Sequence, residues 1–524
     1  MTYTFKYLKW YFFLFHIYFS ERGVTIKIKT DSRKVQKGDT FVAIKGLTVD
    51  GHDYIDEAIK NGATTIVCEH GNYEVNTIVT ENSLKYLQDF LIDNYSEKIN
   101  SVDIIGITGT NGKTTSAFLI YQMLNKIGIK SSYIGTIGFY LDKKITNLDN
   151  TTPDILSLYD MILKSIEENV KVVVMEVSSH ALFLKRVKGL KFKYAAFTNL
   201  TMDHLDFHKT MQQYLKAKLL ILDHLKGDGK IYVNIDDSYS DYFMKKNALS
   251  FGFNKSNAQI LSFKENKKLS ILKLKLNNKI YKFKTLLKGN FNAYNLALAI
   301  VITNNYTNVK NIKKITNTIV PPKGRCDTVI YKKNKIVIDY AHTPDAMEKI
   351  IDAFSHIKHS KIITIVGCGG NRDKSKRPIM GNIAVSLSNY VIFTDDNPRC
   401  ERPTEIIKDI TNSLKKNNFE IINNRKDAII KGIKMLKKND ILLILGKGHE
   451  DYQIIGHEKI YFDDKKIVLD YLKMWYNVFG RLCGGIGRRT ALKMLRFCDH
   501  EGSIPSTSTN EESVRTRNSS FFLV

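Results

Sequence analysis

Lys113 and Thr114 stand near the end of the run Gly106-Ile-Thr-Gly-Thr-Asn-Gly-Lys-Thr-Thr115, which follows the apolar stretch Val102-Asp-Ile-Ile105 and opens a helical pattern over 116–127. Strand, glycine turn, Lys-Thr and helix in that order describe a cradle for nucleotide phosphates, because the free N–H groups at a helix start attract phosphate oxygens. Gly109 and Gly112 let the backbone approach those oxygens, with Thr110, Asn111 and Thr115 alongside. Lys113 supplies a point charge to the β- and γ-phosphates, and the Thr114 hydroxyl can ligate Mg²⁺. The expected nucleotide is ATP or a relative. Gly106 lies six residues before Gly112 rather than five, so the strict G-x-x-x-x-G-K-[ST] spacing fails by one. Glu176 follows the apolar run 171–175, where a carboxylate beside a phosphate loop holds Mg²⁺ directly or through water; alone, it reads equally as a surface or capping Glu at a strand end.

These residues need a framework of strands and helices. Over 24–98 the pattern is short strands, 40–44 and 64–68 among them, with one helix. Over 101–320, strands at 171–175, 195–198 and 230–233 alternate with helical stretches such as 214–225, which indicates a parallel sheet covered by helices. Val320-Pro-Pro-Lys-Gly324 reads as a linker, since paired prolines cannot continue a helix. Beyond it, apolar strands at 335–338, 361–366, 390–393 and 440–445 form a second doubly wound sheet, with polar motifs just past the strand ends, where ligands sit in such folds. The expected fold is therefore α/β in three domains. They are a small N-terminal α/β module (1–100, of which 1–23 is a divergent leader), a central P-loop-type parallel sheet with flanking helices (101–320), and a C-terminal Rossmann-like sheet (321–476).

A length of 524 residues agrees with about three domains at a prior of about 150 residues each. The formal charge of +26 alone would suggest a nucleic-acid partner, but the excess is Lys spread among Asn and Ile, as over 264–284 and 408–438, with no basic stripe interleaved with aromatics. Drift from an AT-rich coding sequence accounts for it, and no nucleic-acid partner is expected. Six cysteines show no metal-ligand spacing, as expected for reduced thiols in a cytoplasmic protein. The apolar, aromatic run 10–19 is too short to span a bilayer and no small-residue cleavage pattern follows it, so no integral membrane segment is expected. From 477 the chain turns from Lys to Arg and becomes rich in Gly, Ser and Thr, the composition of a poorly ordered or non-native extension.

The variant loop Thr-Gly-Thr-Asn-Gly-Lys-Thr resembles that of the Mur ligase and folylpolyglutamate synthetase superfamily, which makes amide bonds through acyl phosphates. Thr30-Asp-Ser-Arg33, Asp50-Gly-His-Asp53, Asn150-Thr-Thr-Pro153, Met175-Glu-Val-Ser-Ser-His-Ala181, Asp203-His-Leu-Asp206, Asp339-Tyr-Ala-His-Thr-Pro-Asp345, Gly367-Cys-Gly-Gly370, Asp396-Asn-Pro-Arg399 and Gly446-Lys-Gly-His-Glu450 follow in one order. That order resembles the Mur ligases, and within them the branch that adds the third amino acid, over about 24–475. The resemblance implies an ATP-dependent ligase acting on a UDP-muramoyl-dipeptide and meso-diaminopimelate, with Mg²⁺, as a monomer serving peptidoglycan synthesis.

Residue by residue, it implies that His204 is a second metal ligand and that Lys218 carries a CO₂-derived carbamate (N6-carboxylysine) bridging to Mg²⁺; alone, Lys218 would be a snorkelling helix residue. Thr30, Ser32, Leu47, Thr48 and Val49 would serve the uridine end, though 30–33 could equally be a turn capped by Asp31. Asn150, Thr151, Thr152, Ser178, Leu184 and Arg186 would hold the muramoyl-dipeptide; at Leu184 some relatives carry Gln. Asn292 and Asn295 fall on the adenine side, with Arg325 and Asp339 near the nucleotide. His342 reads as a base or as a turn former. Arg372, Asp396, Asn397, Pro398, Arg399, Gly446 and Glu450 would take diaminopimelate, whose far carboxylate suits a guanidinium fork. Lysine-adding relatives lack the Arg at 399; a surface ion pair is its bland alternative. The competing readings are a folylpolyglutamate synthetase-like ligase, the lysine-adding Mur ligase, a basic nucleic-acid-stimulated NTPase and an inactive scaffold.

Overall fold

The computed structural model describes residues 27–46, 49–245, 247–266, 269–357 and 359–479. The leader with its aromatic run, Leu47, Thr48 and the tail over 480–524 lie outside the described residues. Packing divides the chain into a unit ending at Leu469 and a second beginning at Asp470. Of the second, only the last part of the helix Asp464–Phe479 is described.

Three sheets follow one another in the first unit. The N-terminal one is parallel, in the order Ile28–Lys29, Thr40–Val42, Thr65–Cys68, Asn76–Val79. Two α-helices accompany it, Ile55–Lys60 and Ser83–Ile99, where the sequence pattern led us to expect one. The shorter was missed because its turn and a half is too brief for a helical period to show. Asn82 caps the longer helix by accepting from Lys85 N.

The central sheet has eleven strands. Its parallel core is Ala248–Gly252, Leu225–Asn234, Phe192–Phe197, Asp103–Thr108, Val172–Glu176 and Ser131–Gly135, side by side. Alternate residues of these strands pack into two separate cores: Ile104, Val173, Met175 and Phe197 on one face, Ile105, Ile107, Val172 and Val174 on the other. Burial on both faces is why such strands read as unbroken apolar runs. The expected parallel sheet is present and is extended by antiparallel pairings at both edges. Gly138–Tyr140 and Lys144–Thr146 add antiparallel strands at one side, and Ala258–Glu265, Ser270–Leu276 and Lys279–Thr285 form an antiparallel meander at the other. Ser-Ile-Leu-Lys-Leu-Lys-Leu at 270–276 alternates buried and half-buried residues, and Asn277 and Asn278 supply the positive φ values (+47° and +61°) of a tight hairpin. Lysines read as compositional drift are thus the outer positions of a period-two pattern.

The third sheet runs Asp327–Tyr331, Asn334–Asp339, Ile441–Leu445, Ile362–Val366, Tyr390–Phe393, Phe419–Ile421, parallel apart from the first strand. The four expected strands are its centre; the two edge strands, half exposed and mixed in composition, gave no apolar run. Thr343 caps the helix Pro344–Ser355 with Pro at its first position. The segment 320–324 carries no helix or strand, and Gln122 pairs with Val320 through both its amide groups, Nε2 to O at 2.8 Å and Oε1 from N at 3.2 Å. Among the described residues no helix is long and apolar enough to cross a membrane.

Candidate active site

The phosphate loop leaves the carboxyl end of Asp103–Thr108 and enters the helix Lys113–Lys126. Gly109 (φ +146°) and Gly112 (φ +85°) hold conformations that side chains disfavour. A methyl group on Gly109 would strike Thr198 Oγ1, and one on Gly112 would lie 2.6 Å from Asn295 Oδ1. The turn after Phe192–Phe197 fastens the loop: Asn199 Oδ1 accepts from Asn111 N at 2.8 Å and Thr198 Oγ1 donates to Asn111 O at 2.7 Å. Lys113 Nζ donates to the carbonyls of Gly109 (2.9 Å) and Thr110 (2.8 Å).

Lys218 shares one of these acceptors. It sits in the helix Met211–Leu219, is 1% exposed, donates to Gly109 O at 2.8 Å and lies 4.6 Å from the centre of the Tyr214 ring. Burial, then repulsion from Lys113, pushes its pKa well below the ordinary lysine value, which favours the neutral amine. A snorkelling surface lysine is therefore not what the structure has.

Glu176 is the last residue of its strand and fully buried, so it is neither a surface nor a capping residue. It accepts from Thr114 Oγ1 (2.9 Å), Tyr133 Oη (2.5 Å), Thr136 N (2.8 Å) and Thr136 Oγ1 (3.1 Å). Thr114 Oγ1 in turn accepts from Arg325 Nη2 at 3.1 Å, and the Arg325 guanidinium lies 4.4 Å from the centre of the Tyr340 ring. A cavity of about 900 Å³ opens between the loop and the third sheet, lined among others by Glu176, His204, Asn292, Arg325, Asp339 and His342. Asn295 Oδ1 accepts from Ser116 Oγ (3.0 Å) and its Nδ2 donates to Asn292 Oδ1 (2.9 Å), both at the cavity wall. Asp339 accepts from Cys326 N (2.7 Å) and Ala341 N (2.8 Å), shaping the turn there. His342 Nδ1 lies 2.8 Å from Tyr340 O, the turn-forming option. Buried Asp203 faces His204 at 3.4 Å, His342 at 3.8 Å and Lys376 at 3.7 Å. Burial lowers His204 to about 3 and His342 to about 4, so both rings are neutral near pH 7.

Asn397 organises a second cluster. Its Oδ1 accepts from Lys447 Nζ (3.0 Å) and Ile454 N (3.0 Å), and its Nδ2 donates to Glu450 (2.9 Å). Glu450 also receives Lys447 Nζ at 3.0 Å, with the Lys447 side chain fully buried. Gly446, at φ +111°, passes Asp396 so closely that a Cβ would lie 2.5 Å from Oδ2. Arg399 follows Pro398 at φ +52° and donates through Nη1 to Gly370 O (2.9 Å) and Asn397 O (3.4 Å). Among the described residues no carboxylate lies within 4.0 Å of Arg399 or of Arg372, so the surface ion pair is not formed. Burial and the neighbouring Arg372 charge lower the Arg399 pKa.

A third group lies around Thr152. Its Oγ1 donates to Glu176 O (2.8 Å) and accepts from Ser178 N (3.0 Å), and its carbonyl accepts from Arg186 Nη1 (3.0 Å). Thr151 Oγ1 is 3.1 Å from Thr136 Oγ1, while Asn150 precedes this pair and Leu184 ends the short helix Ser179–Phe183. At the first sheet Asp31 does cap a turn, accepting from Arg33 N at 3.2 Å. Ser32 Oγ donates to Glu57 at 2.6 Å, Thr30 lies just before that turn, and Val49 is exposed. Neither Thr30 nor Ser32 is among the residues that line the cavity.

Sequence reading passed over Tyr133, Thr136, Lys376, Arg377 and Lys447. Lys447 stands within a quoted motif and Lys376 and Arg377 a few residues after one, and a buried cation is legible only once burial is known. Tyr133 and Thr136 belong to a strand and turn with no motif.

Three family profiles match the chain: the Mur ligase family catalytic domain over 26–93, the Mur ligase middle domain over 107–303, and the Mur ligase glutamate ligase domain over 324–448. It is 39% identical over 454 residues to UDP-N-acetylmuramoyl-L-alanyl-D-glutamate–2,6-diaminopimelate ligase 1 of Clostridium acetobutylicum, covering 84% of this chain and 94% of that one. The corresponding ligase of Fusobacterium nucleatum is 40% identical over 457 residues (84% and 92%). Among solved structures, a UDP-N-acetylmuramoyl-L-alanyl-D-glutamate–2,6-diaminopimelate ligase aligns with TM-score 0.58 at 27% identity over 86% of this chain and 95% of that one. The MurF ligase of Thermotoga maritima in complex with ADP shares the fold at TM-score 0.62 and 19% identity (85% and 97%).

Proposed function

The chain belongs to the Mur ligase family, and from that premise we propose that it joins meso-2,6-diaminopimelate to UDP-N-acetylmuramoyl-L-alanyl-D-glutamate, with ATP as the energy source, in peptidoglycan precursor synthesis. The observation that carries the choice of amino acid is the pair Arg372 and Arg399, two guanidiniums near each other with, among the described residues, no carboxylate within 4.0 Å of either. Such a pair fits an acceptor with a carboxylate at its far end, which lysine does not have.

The loop N–H groups and Lys113 bind the ATP phosphates. Asn292 and Asn295 face the adenine side, and Arg325 and Asp339 border the nucleotide. The oxygen-rich set of Thr114, Glu176 and a carbamate on Lys218, with His204 alongside, fits Mg²⁺, which takes few protein ligands beside substrate phosphates. Among the described residues no cage of three or more acidic, His or Cys side chains exists, which agrees with that mode. When bound, Mg²⁺ would neutralise charge on the transferring phosphoryl group. A neutral Lys218 amine would add CO₂ through its lone pair and release a proton to solvent, leaving an anionic carbamate in place of the amine. Thr30, Ser32 and Val49 serve the uridine, while Asn150, Thr151, Thr152, Ser178, Leu184 and Arg186 hold the muramoyl-dipeptide.

The D-glutamyl carboxylate attacks the γ-phosphorus, releasing ADP and forming an acyl phosphate. The diaminopimelate amine, oriented by Arg399, Arg372, Asn397 and Glu450, attacks the acyl carbon; phosphate leaves and the amine proton passes to solvent. Positioning and charge neutralisation carry the rate, with no protein nucleophile needed. Phosphate release measured with each component left out in turn tests this: release requires nucleotide-dipeptide, diaminopimelate and Mg²⁺ together, and stimulation by DNA or RNA instead would overturn it.

A further inference from the structure

Glu401 stands two residues after Arg399, close enough in sequence to neutralise it, yet its carboxylate is occupied elsewhere. Arg377, fully buried near the start of the helix Lys376–Leu387, donates Nη1 to Glu401 Oε2 at 2.9 Å and Nη2 to Glu401 Oε1 at 3.1 Å. The same guanidinium reaches Asp409 (2.8 Å) and the carbonyl of Gly369 (3.1 Å). Glu401 Oε1 also accepts from Asn371 N, and Asn371 Oδ1 accepts from Cys400 N at 3.0 Å. Gly370 N donates to Asn397 O at 2.9 Å. These bonds tie the turn bearing Arg372 to the turn bearing Arg399. Each turn holds a non-glycine residue in the left-handed region, Asn371 at φ +51° and Arg399 at φ +52°. That backbone persists only where its surroundings over-determine it.

We propose that the Arg377–Glu401 pair is a positioning device for acceptor selection: it withholds Glu401 from the two site arginines and fixes the spacing at which Arg372 and Arg399 meet a second carboxylate. This rests on the assignment of that site to diaminopimelate. Two like charges separate unless held, and an acid free to swing between them would pair with them in place of substrate. Arg377 prevents both, since the bidentate pair leaves Glu401 one geometry.

The test compares kcat/KM for diaminopimelate and for lysine, with ATP and nucleotide-dipeptide saturating, in wild type, Glu401→Gln and Asn371→Gly. Asn371→Gly suits the left-handed backbone and guards against a Glu401→Gln chain that does not fold. The expected result is a KM for diaminopimelate raised about tenfold or more, a KM for ATP within about twofold, and a preference for diaminopimelate over lysine reduced by a similar factor. An unchanged preference in folded variants, even with a lower kcat or melting temperature, overturns the proposal. If wild type itself makes no product with diaminopimelate, the assignment beneath the proposal fails, and that outcome is distinct because it appears without any substitution.

Discussion

Arg325 Nη2 lies 3.1 Å from Thr114 Oγ1, a hydrogen bond that ties the segment leading into the third sheet to the first turn of the phosphate-loop helix. Because Thr114 simultaneously donates to Glu176 at 2.9 Å, one hydroxyl joins a guanidinium and a buried carboxylate beside the loop proposed to hold the ATP phosphates. Arg325→Ala should therefore lower kcat on the order of 10²-fold, more than it raises the KM for ATP. Steady-state kinetics at varied ATP checks this, and a pure KM effect would mean that Arg325 binds ground-state nucleotide only.

Lys218 is held against the loop by its bond to Gly109 O. Lys218→Ala should lose activity by on the order of 10²-fold or more, and bicarbonate should not restore it, since no amine remains to carry the carbamate. Wild type given ¹³C-bicarbonate should show a carbamate carbon signal that the variant lacks. Full activity in the variant would remove the carbamate from the account.

Removing the guanidinium that meets the distal carboxylate should cost diaminopimelate far more than lysine. For Arg399→Ala we expect kcat/KM for diaminopimelate to fall by on the order of 10²–10⁴, with that for lysine little changed, so that discrimination collapses. Competition between the two amino acids, read by product mass, measures it; an undiminished preference would place selection elsewhere.

The hydrogen bond from Arg377 holds the Glu401 carboxyl at about 2, below its ordinary 4.5. A folded-state pKa lowered in this way contributes stability that is fully present above pH 4.5 and is lost as pH falls toward about 2. The stability difference between wild type and Glu401→Gln, from urea unfolding at a series of pH values, should be constant near neutrality and shrink below pH 4.5. A difference that grows on acidification would contradict the sign.

The phosphate loop could be read from sequence because its chemistry is local: glycines, Lys113 and Thr114 lie within a few residues of one another between a strand and a helix. Central strands were equally plain, being apolar throughout. The meander over 258–285 was not, since its alternation was carried by lysines that looked like composition. Harder still were the contacts that assemble the site across the chain. Asn111 donates to Asp345 at 2.8 Å over 234 residues, and nothing local to either residue announces the other. Lys447 and Arg377 escaped for a related reason, because a buried cation looks like any surface Lys or Arg until its neighbours are known.

Whether this chain adds diaminopimelate is decided by product mass after incubation with ATP, Mg²⁺, UDP-N-acetylmuramoyl-L-alanyl-D-glutamate and either diaminopimelate or lysine. The expected result is a nucleotide product heavier by one diaminopimelate less one water, together with ADP and phosphate, and little or no lysine adduct. Equal products with the two amino acids, or none with diaminopimelate, would contradict it.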